Sequence, residues 1–89
     1  MFKILKYATP SCTICRMIQP RLENIAKKNN AELKVIMVGS NNDLEITSVP
    51  TIKIQVGENT YDVCSGGNPN VILKTVEDKI AELHKQKVF

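Results

Sequence analysis

The sequence has no tryptophan and only two Tyr and two Phe in 89 residues, too few aromatics for a surface that stacks single-stranded nucleic acid. It also has little net charge, since 12 Lys and Arg against nine Asp and Glu leave +3, which does not make a nucleic-acid-binding surface. No apolar run is long enough to cross a bilayer, and Met1–Lys6 does not begin a secretion signal. We therefore expect no nucleic-acid partner, no membrane association and a reducing, cytoplasmic location.

Cysteine is also scarce, with Cys12, Cys15 and Cys64 only. A low, odd count is not typical of a secreted domain held together by disulfides, and in a reducing compartment a Cys-X-X-Cys pair is more typical of catalysis or metal binding. The length and the hydrophobic content of 43% suit a single packed domain over residues 1–89. We expect this domain to be a monomer.

Hydrophobic periodicity and chain breakers predict four strands and two main helices. Apolar residues at spacings of three and four predict a helix from about Cys12 to the Asn29-Asn30 pair, and Asn68-Pro69 is typical of a helix start. A turn is predicted at Gly39–Asp43, with one or two helical turns at Asn42–Ile46. The strands are predicted at 2–7, 33–38, 51–56 and 60–64.

This element order predicts an α/β fold. The first strand, helix and second strand form a right-handed parallel crossover, and the third and fourth strands form an antiparallel hairpin followed by a helix. We expect a four-stranded mixed sheet flanked by helices in two layers. The continuous apolar run Val35–Val38 predicts a second strand that is covered on both faces.

The Cys pair stands where a strand, a Pro-containing loop and a helix meet. A cysteine at a helix start lies beside free N–H groups and the positive end of the helix dipole, so its thiol pKa is expected to fall below about 8.5. Cys15 follows Cys12 by one helical turn, within reach for a disulfide. We expect Cys12 to be exposed and to attack, and Cys15 to be more buried and to resolve the mixed disulfide, with no metal or organic cofactor.

Two other interpretations of the pair remain open at this point. A Cys-X-X-Cys pair can be half of a zinc site, for which Cys64 and His84 are the only further ligands of soft type. The pair can also be inert and structural. Cys64 itself is expected to be a buried, small apolar residue, with a regulatory thiol as the alternative.

These residues resemble the thioredoxin superfamily. Cys12–Ile18 followed by Pro20 resembles its active-site helix, Val49-Pro50-Thr51 its cis-proline loop, and Gly66-Gly67 the glycines before its last helix. The resemblance covers nearly the whole chain, in a compact glutaredoxin-like outline. It implies that Pro50 is cis and lies against the disulfide, and that Val49, Pro50 and the two glycines present backbone to an extended substrate.

The sequence departs from the family at several positions. Thr13-Ile14 replaces the usual Gly-Pro between the cysteines, so the redox potential does not carry over. Thioredoxins bury an Asp six residues before the first Cys, where this chain has Lys6. We consider two roles for Lys6: a buried ammonium that lowers a cysteine pKa, or a side chain that reaches solvent from the strand end.

The glutathione-binding positions of glutaredoxins hold Thr9, Ile14 and Asn68 here, which weakens the expected carboxylate clamp. The turn that ends in Asn68 still stands at a helix start that suits an anion, and Arg16 is near in sequence. Glutathione-dependent activity is therefore the second function that we consider.

By resemblance, the leading function is that of a small protein disulfide reductase or electron donor. Its implied partners are disulfide-containing client proteins, with ribonucleotide reductase as one client, and a flavin-dependent thioredoxin reductase or glutathione as electron donor. A third hypothesis is a non-catalytic iron–sulfur or metal carrier that uses Cys12 at a dimer interface.

Overall fold

The computed structural model describes residues 2–38 and 49–86. The elements are β1 (Lys3–Ala8), α1 (Thr13–Lys28), β2 (Glu32–Met37), β3 (Thr51–Val56), β4 (Asn59–Ser65) and α2 (Pro69–Lys85). Each predicted strand and the first predicted helix are confirmed to within one or two residues at each end, and the second helix begins at the predicted Asn68-Pro69. The predicted turn and short helix at Gly39–Ile46 lie outside the described residues.

The four strands form one mixed sheet in the order β2-β1-β3-β4. β1 runs parallel to β2 and antiparallel to β3, and β3 is antiparallel to β4. This arrangement confirms the predicted parallel unit, the hairpin and the fold class. β1 has a neighbouring strand on each side, and its residues from Ile4 to Ala8 are all buried.

The prediction that β2 is covered on both faces is wrong. β2 lies at the edge of the sheet, with Val35 40% and Met37 56% exposed. A continuous apolar run indicates a strand that can be buried. Whether the strand lies at the centre or the edge of the sheet depends on long-range pairing, which the run does not encode.

Both described helices lie on the same face of the sheet, so the expectation that they form two separate layers is also wrong. α1 and α2 contact each other and share a core with alternate residues of the central strands. This core includes Ile4, Ile18, Leu22, Ile52, Ile54, Ile72, Val76 and Leu83, each at most 1% exposed. Leu5, Tyr7 and Val38 form a smaller cluster, because successive side chains of β1 point to opposite faces.

The helix ends follow the predicted chemistry. Asn29 is the C-cap of α1 and its N–H donates to the Ala26 carbonyl, while Asn30 has a left-handed φ of 53° that asparagine tolerates. At the start of α2 the Asn68 side chain accepts the Val71 N–H at 2.9 Å. These ends fix where the two helices begin and stop on the sheet.

Candidate active site

The sheet register brings three separate segments to one end of the molecule. Tyr7, near the end of β1, pairs with Thr51 at the start of β3, and Thr51 pairs with Ser65 at the end of β4. The loop that carries the cysteines follows β1, the Val49-Pro50 pair precedes β3, and the glycine turn follows β4. The cysteines, the proline loop and the two glycines therefore share this end of the sheet, as the resemblance implies.

Cys12 and Cys15 form a disulfide, with their Cα atoms 5.3 Å apart. Cys12 has extended backbone and is the N-cap of α1, and its Sγ accepts the N–H of Cys15 at 3.1 Å. Cys12 is partly exposed, whereas Cys15 is only 2% exposed. The pair thus has one accessible sulfur, already hydrogen-bonded at a helix start, and one that is shielded from solvent.

The Val49–Pro50 peptide bond is cis, as the resemblance implies. Pro50 is buried and its carbonyl accepts the Gly66 N–H at 2.7 Å, which ties the proline loop to the glycine turn. Gly66 and Gly67 have φ values of 74° and 109°, a backbone region that residues with a side chain rarely adopt. The glycines are therefore needed by the turn itself.

Lys6 lies against the backbone of Cys15 rather than in solvent. It is 3% exposed, and its Nζ donates to the Cys15 carbonyl at 2.7 Å and to Oε1 of Gln19. The alternative in which Lys6 reaches solvent from the strand end is wrong, because this part of β1 lies under α1 and between two strands. An ionisable amine is therefore held against the backbone of Cys15, the shielded cysteine.

Burial lowers the pKa of Lys6, because the ammonium loses hydration, and the carboxylate of Glu23 opposes this shift. Gln19 connects the two groups, since its Nε2 donates to Oε1 of Glu23 at 3.0 Å. Gln19 has no role among the expectations drawn from the sequence. The signal that could have found it is the spacing of Cys15, Gln19 and Glu23 at four-residue intervals, which puts them on one face of a helix.

We predict that Lys6→Met raises the free energy of unfolding of the oxidised protein at pH 7, on the order of 1 kcal/mol, because methionine fills a similar volume without a buried charge. Since the folded-state pKa lies below the ordinary 10.5, the unfolded chain binds more protons in the interval between them, and wild-type stability rises with pH there. The advantage of the variant should shrink as pH approaches 10.5. Denaturant titrations at pH 7 and about pH 10 measure it.

The control is Lys34→Met, which removes an exposed lysine of β2 and should alter stability little at either pH. A less stable Lys6→Met protein, or an advantage that does not change with pH, would show that the buried ammonium is not destabilising.

Cys64 and His84, the two further candidate zinc ligands, are not grouped with the cysteine pair among the described residues. Cys64 is half-buried against the main core, and burial raises the pKa of its thiol despite a hydrogen bond with the Ile52 backbone. It is thus partly accessible, not fully buried as predicted. His84 is exposed and packs edge-to-face on Phe2, with ring centroids 6.4 Å apart. Residues 2–38 and 49–86 contain no group of three or more His, Cys, Asp or Glu side chains arranged to hold a metal ion.

Neither described helix combines the length and the apolar character that a membrane-crossing segment needs.

Comparison with known proteins gives relatives that are thioredoxins. Thioredoxin 1 of Nostoc sp. is 26% identical over 82 residues, covering 85% of this chain and 77% of the relative. The solved thioredoxin 1 of Thermosipho africanus has a TM-score of 0.66 at 21% identity, covering 92% of this chain and 98% of the other.

A third relative is thioredoxin f2 from a solved complex with ferredoxin:thioredoxin reductase, with a TM-score of 0.67 at 22% identity, covering 88% of this chain and 76% of the other. The two solved structures show the same fold. The Thioredoxin family model matches residues 2–78, which include both cysteines and every segment at the active end of the sheet. The chain therefore belongs to the thioredoxin family and is a thiol–disulfide oxidoreductase.

Proposed function

We propose that this protein is a small dithiol reductant of protein disulfides, in which Cys12 is the nucleophile and Cys15 the resolving thiol. The observation that carries the proposal is the asymmetry of the pair: Cys12 is partly exposed with its sulfur at the start of α1, and Cys15 is 2% exposed. The N–H that Cys12 Sγ accepts stabilises a thiolate more than a thiol.

The exchange proceeds in two displacements. In the reduced protein the Cys12 thiolate attacks one sulfur of the client disulfide, forming a mixed disulfide and releasing the other client sulfur as a thiolate. Cys15 then loses its proton and attacks Cys12 Sγ. The client leaves with two thiols, the Cys12–Cys15 disulfide is restored, and two electrons have passed to the client.

The client is held beside Cys12 by backbone rather than by a deep pocket. Val49 is half-buried, and the hydrogen bond from Gly66 to the Pro50 carbonyl fixes the loop on which an extended client segment pairs with the Val49 backbone. Gly66 and Gly67 leave no side chain on the facing turn, so the client backbone can approach closely.

We assign the return of electrons to a thioredoxin reductase, in a reducing compartment such as the cytoplasm. The relative captured with ferredoxin:thioredoxin reductase is a precedent for such a partner. Glutathione is the alternative donor. Disulfide-bearing enzymes such as ribonucleotide reductase are the client class.

The test is the equilibrium reduction potential of the Cys12–Cys15 pair against a thiol–disulfide buffer. We expect a value nearer to roughly −270 mV than to roughly −120 mV, the values for a reductant and a strong oxidant of this chemistry. A value near the oxidant end contradicts the proposal. Turnover of a protein disulfide with a thioredoxin reductase, and little with glutathione alone, distinguishes the two electron donors. Protein purified anaerobically with bound iron or zinc would favour the carrier hypothesis instead.

We also propose that the Lys6 ammonium favours the thiolate state of the pair. It is a buried cation held against Cys15, and it lies where an apolar side chain would serve the core better. A residue that opposes stability at such a position is typical of a functional site.

A further inference from the structure

On the outer side of the helical layer, α1 and α2 leave a long groove between them. A cavity of about 430 Å³ near the start of α2 continues into one of about 220 Å³, and the two share Ile25, Lys28 and Glu77. The lining of α2 runs from Asn70 to His84, which is about 20 Å at 1.5 Å per residue. This length suits a polypeptide segment better than a compact small molecule.

The larger cavity, near the start of α2, is called the upper cavity, and it is positively charged. Its exposed rim consists of Arg21, Lys28, Lys74 and Glu77, and its buried floor of Ile25 and Leu73. Among the described residues, none of these four charged side chains forms an ion pair or a side-chain hydrogen bond. Three cations against one carboxylate, all without partners there, attract a negatively charged segment.

The groove also connects to the redox site along α1. Met17, 59% exposed, is four residues before Arg21 and five after Cys12, so it lies between the cysteine and the groove on neighbouring turns of the helix. Arg21 is nine residues beyond Cys12, about 14 Å along the axis. A protein that presents a disulfide to Cys12 can therefore reach the groove with a neighbouring segment.

From these observations we propose that the groove between α1 and α2 binds an acidic segment of the protein that exchanges its disulfide with Cys12. This inference rests on the proposed function and extends it to the charge of the partner. Asn24 and Asn70, which also line the groove, offer amide groups to the backbone of the segment. Glu77 disfavours a uniformly charged phosphate backbone, and the lining of the upper cavity holds no aromatic ring for base stacking.

The test uses two synthetic peptides, each with one cysteine in a mixed disulfide with a chromogenic aromatic thiol. They differ only in a tail of four Glu or four Gln, separated from the cysteine by a flexible linker that spans about 14 Å. We expect pre-reduced protein to release the chromogenic thiol from the acidic peptide about tenfold faster at low salt, and we expect the advantage to disappear near 0.5 M salt. Equal rates at low salt overturn the proposal.

The variant that removes the groove charges is Arg21→Gln with Lys28→Gln and Lys74→Gln. Its matched control, Lys27→Gln with Lys34→Gln and Lys85→Gln, removes three exposed charges that do not line the upper cavity and so lowers the net charge equally. We expect only the groove variant to lose the preference for the acidic tail, with its rate on the Gln peptide unchanged. An equal loss in the control would mean that net charge alone attracts the peptide.

A second readout is independent of redox activity. The dissociation constant of a cysteine-free Glu-tail peptide should rise about tenfold in the groove variant and stay unchanged in the control. If neither chromogenic peptide is reduced, the proposed function fails while this titration still tests the groove. Tighter binding of a single-stranded oligonucleotide of equal charge, lost in the groove variant, would make nucleic acid the occupant and overturn the assignment to a protein.

Discussion

Replacing Cys12 with serine is expected to lower the rate of protein disulfide reduction at least about a thousandfold, because a hydroxyl is neither ionised at neutral pH nor able to form a mixed disulfide. The fold should persist, since serine is a good N-cap and its Oγ can accept the Cys15 N–H that the sulfur accepts in the wild type. The measurement is reduction of a protein disulfide, with circular dichroism to confirm folding.

Two further variants separate the roles of the three cysteines. Cys15→Ser should carry out one attack and then accumulate a mixed disulfide between Cys12 and the client, visible on a non-reducing gel, because the shielded thiol that releases the client is gone. Cys64→Ser should keep most of the activity, since Cys64 lies on β4 and outside the disulfide. If Cys15→Ser abolished the first attack while Cys12→Ser formed the adduct, the assigned order of the two thiols would be reversed.

The fold and the redox pair were predictable because their signals are local. The helix start at Cys12, the stop at Asn29-Asn30 and the cap at Asn68 depend on backbone chemistry within a few residues. The Cys-X-X-Cys spacing places its two sulfurs one helical turn apart wherever the helix lies. The alternation in β3 and the glycine that ends it gave the hairpin for the same reason.

The errors concern properties that long-range packing decides. Val35 and Met37 are apolar enough for a central strand, but the sheet order leaves β2 at an edge. Both helices pack on the same face because they share one core with Ile4, Ile52 and Ile54, and the apolar stripe of a helix does not specify the face of the sheet on which it packs. Lys6 could not be placed from β1 alone, because its burial depends on α1 crossing above it and on an acceptor, Gln19, that is 13 residues away.

The position of Lys6 in the hydrogen-bond network gives its ammonium a further use. An ammonium has three N–H donors, and two of them are directed at the Cys15 carbonyl and at Gln19. In this disulfide form the third has no acceptor among the described residues. When the disulfide is reduced, we expect this donor to stabilise a thiolate of the pair by charge and by hydrogen bonding, because the ammonium already lies against the Cys15 backbone.

We therefore expect Lys6→Met to raise the lowest apparent thiol pKa of the reduced pair by on the order of one unit, which lowers the thiolate fraction about tenfold at pH values well below that pKa. Lys6→Arg, which keeps the charge, should restore much of the effect, whereas Lys34→Met, an exposed lysine on β2, should change nothing. The measurement is the rate of alkylation of the reduced protein by iodoacetamide between about pH 5 and pH 10.

The same electrostatic argument predicts the direction of a second change, in the reduction potential of the pair. Because the proposed ammonium–thiolate interaction exists only in the reduced protein, Lys6→Met should make the disulfide harder to reduce and its potential more negative. A merely structural Lys6 would alter stability and leave both the alkylation profile and the potential where they are in the wild type. If the apparent thiol pKa stayed unchanged while the protein remained folded, Lys6 would have no part in the exchange. The stability that the buried ammonium costs the wild-type protein would then have no functional counterpart.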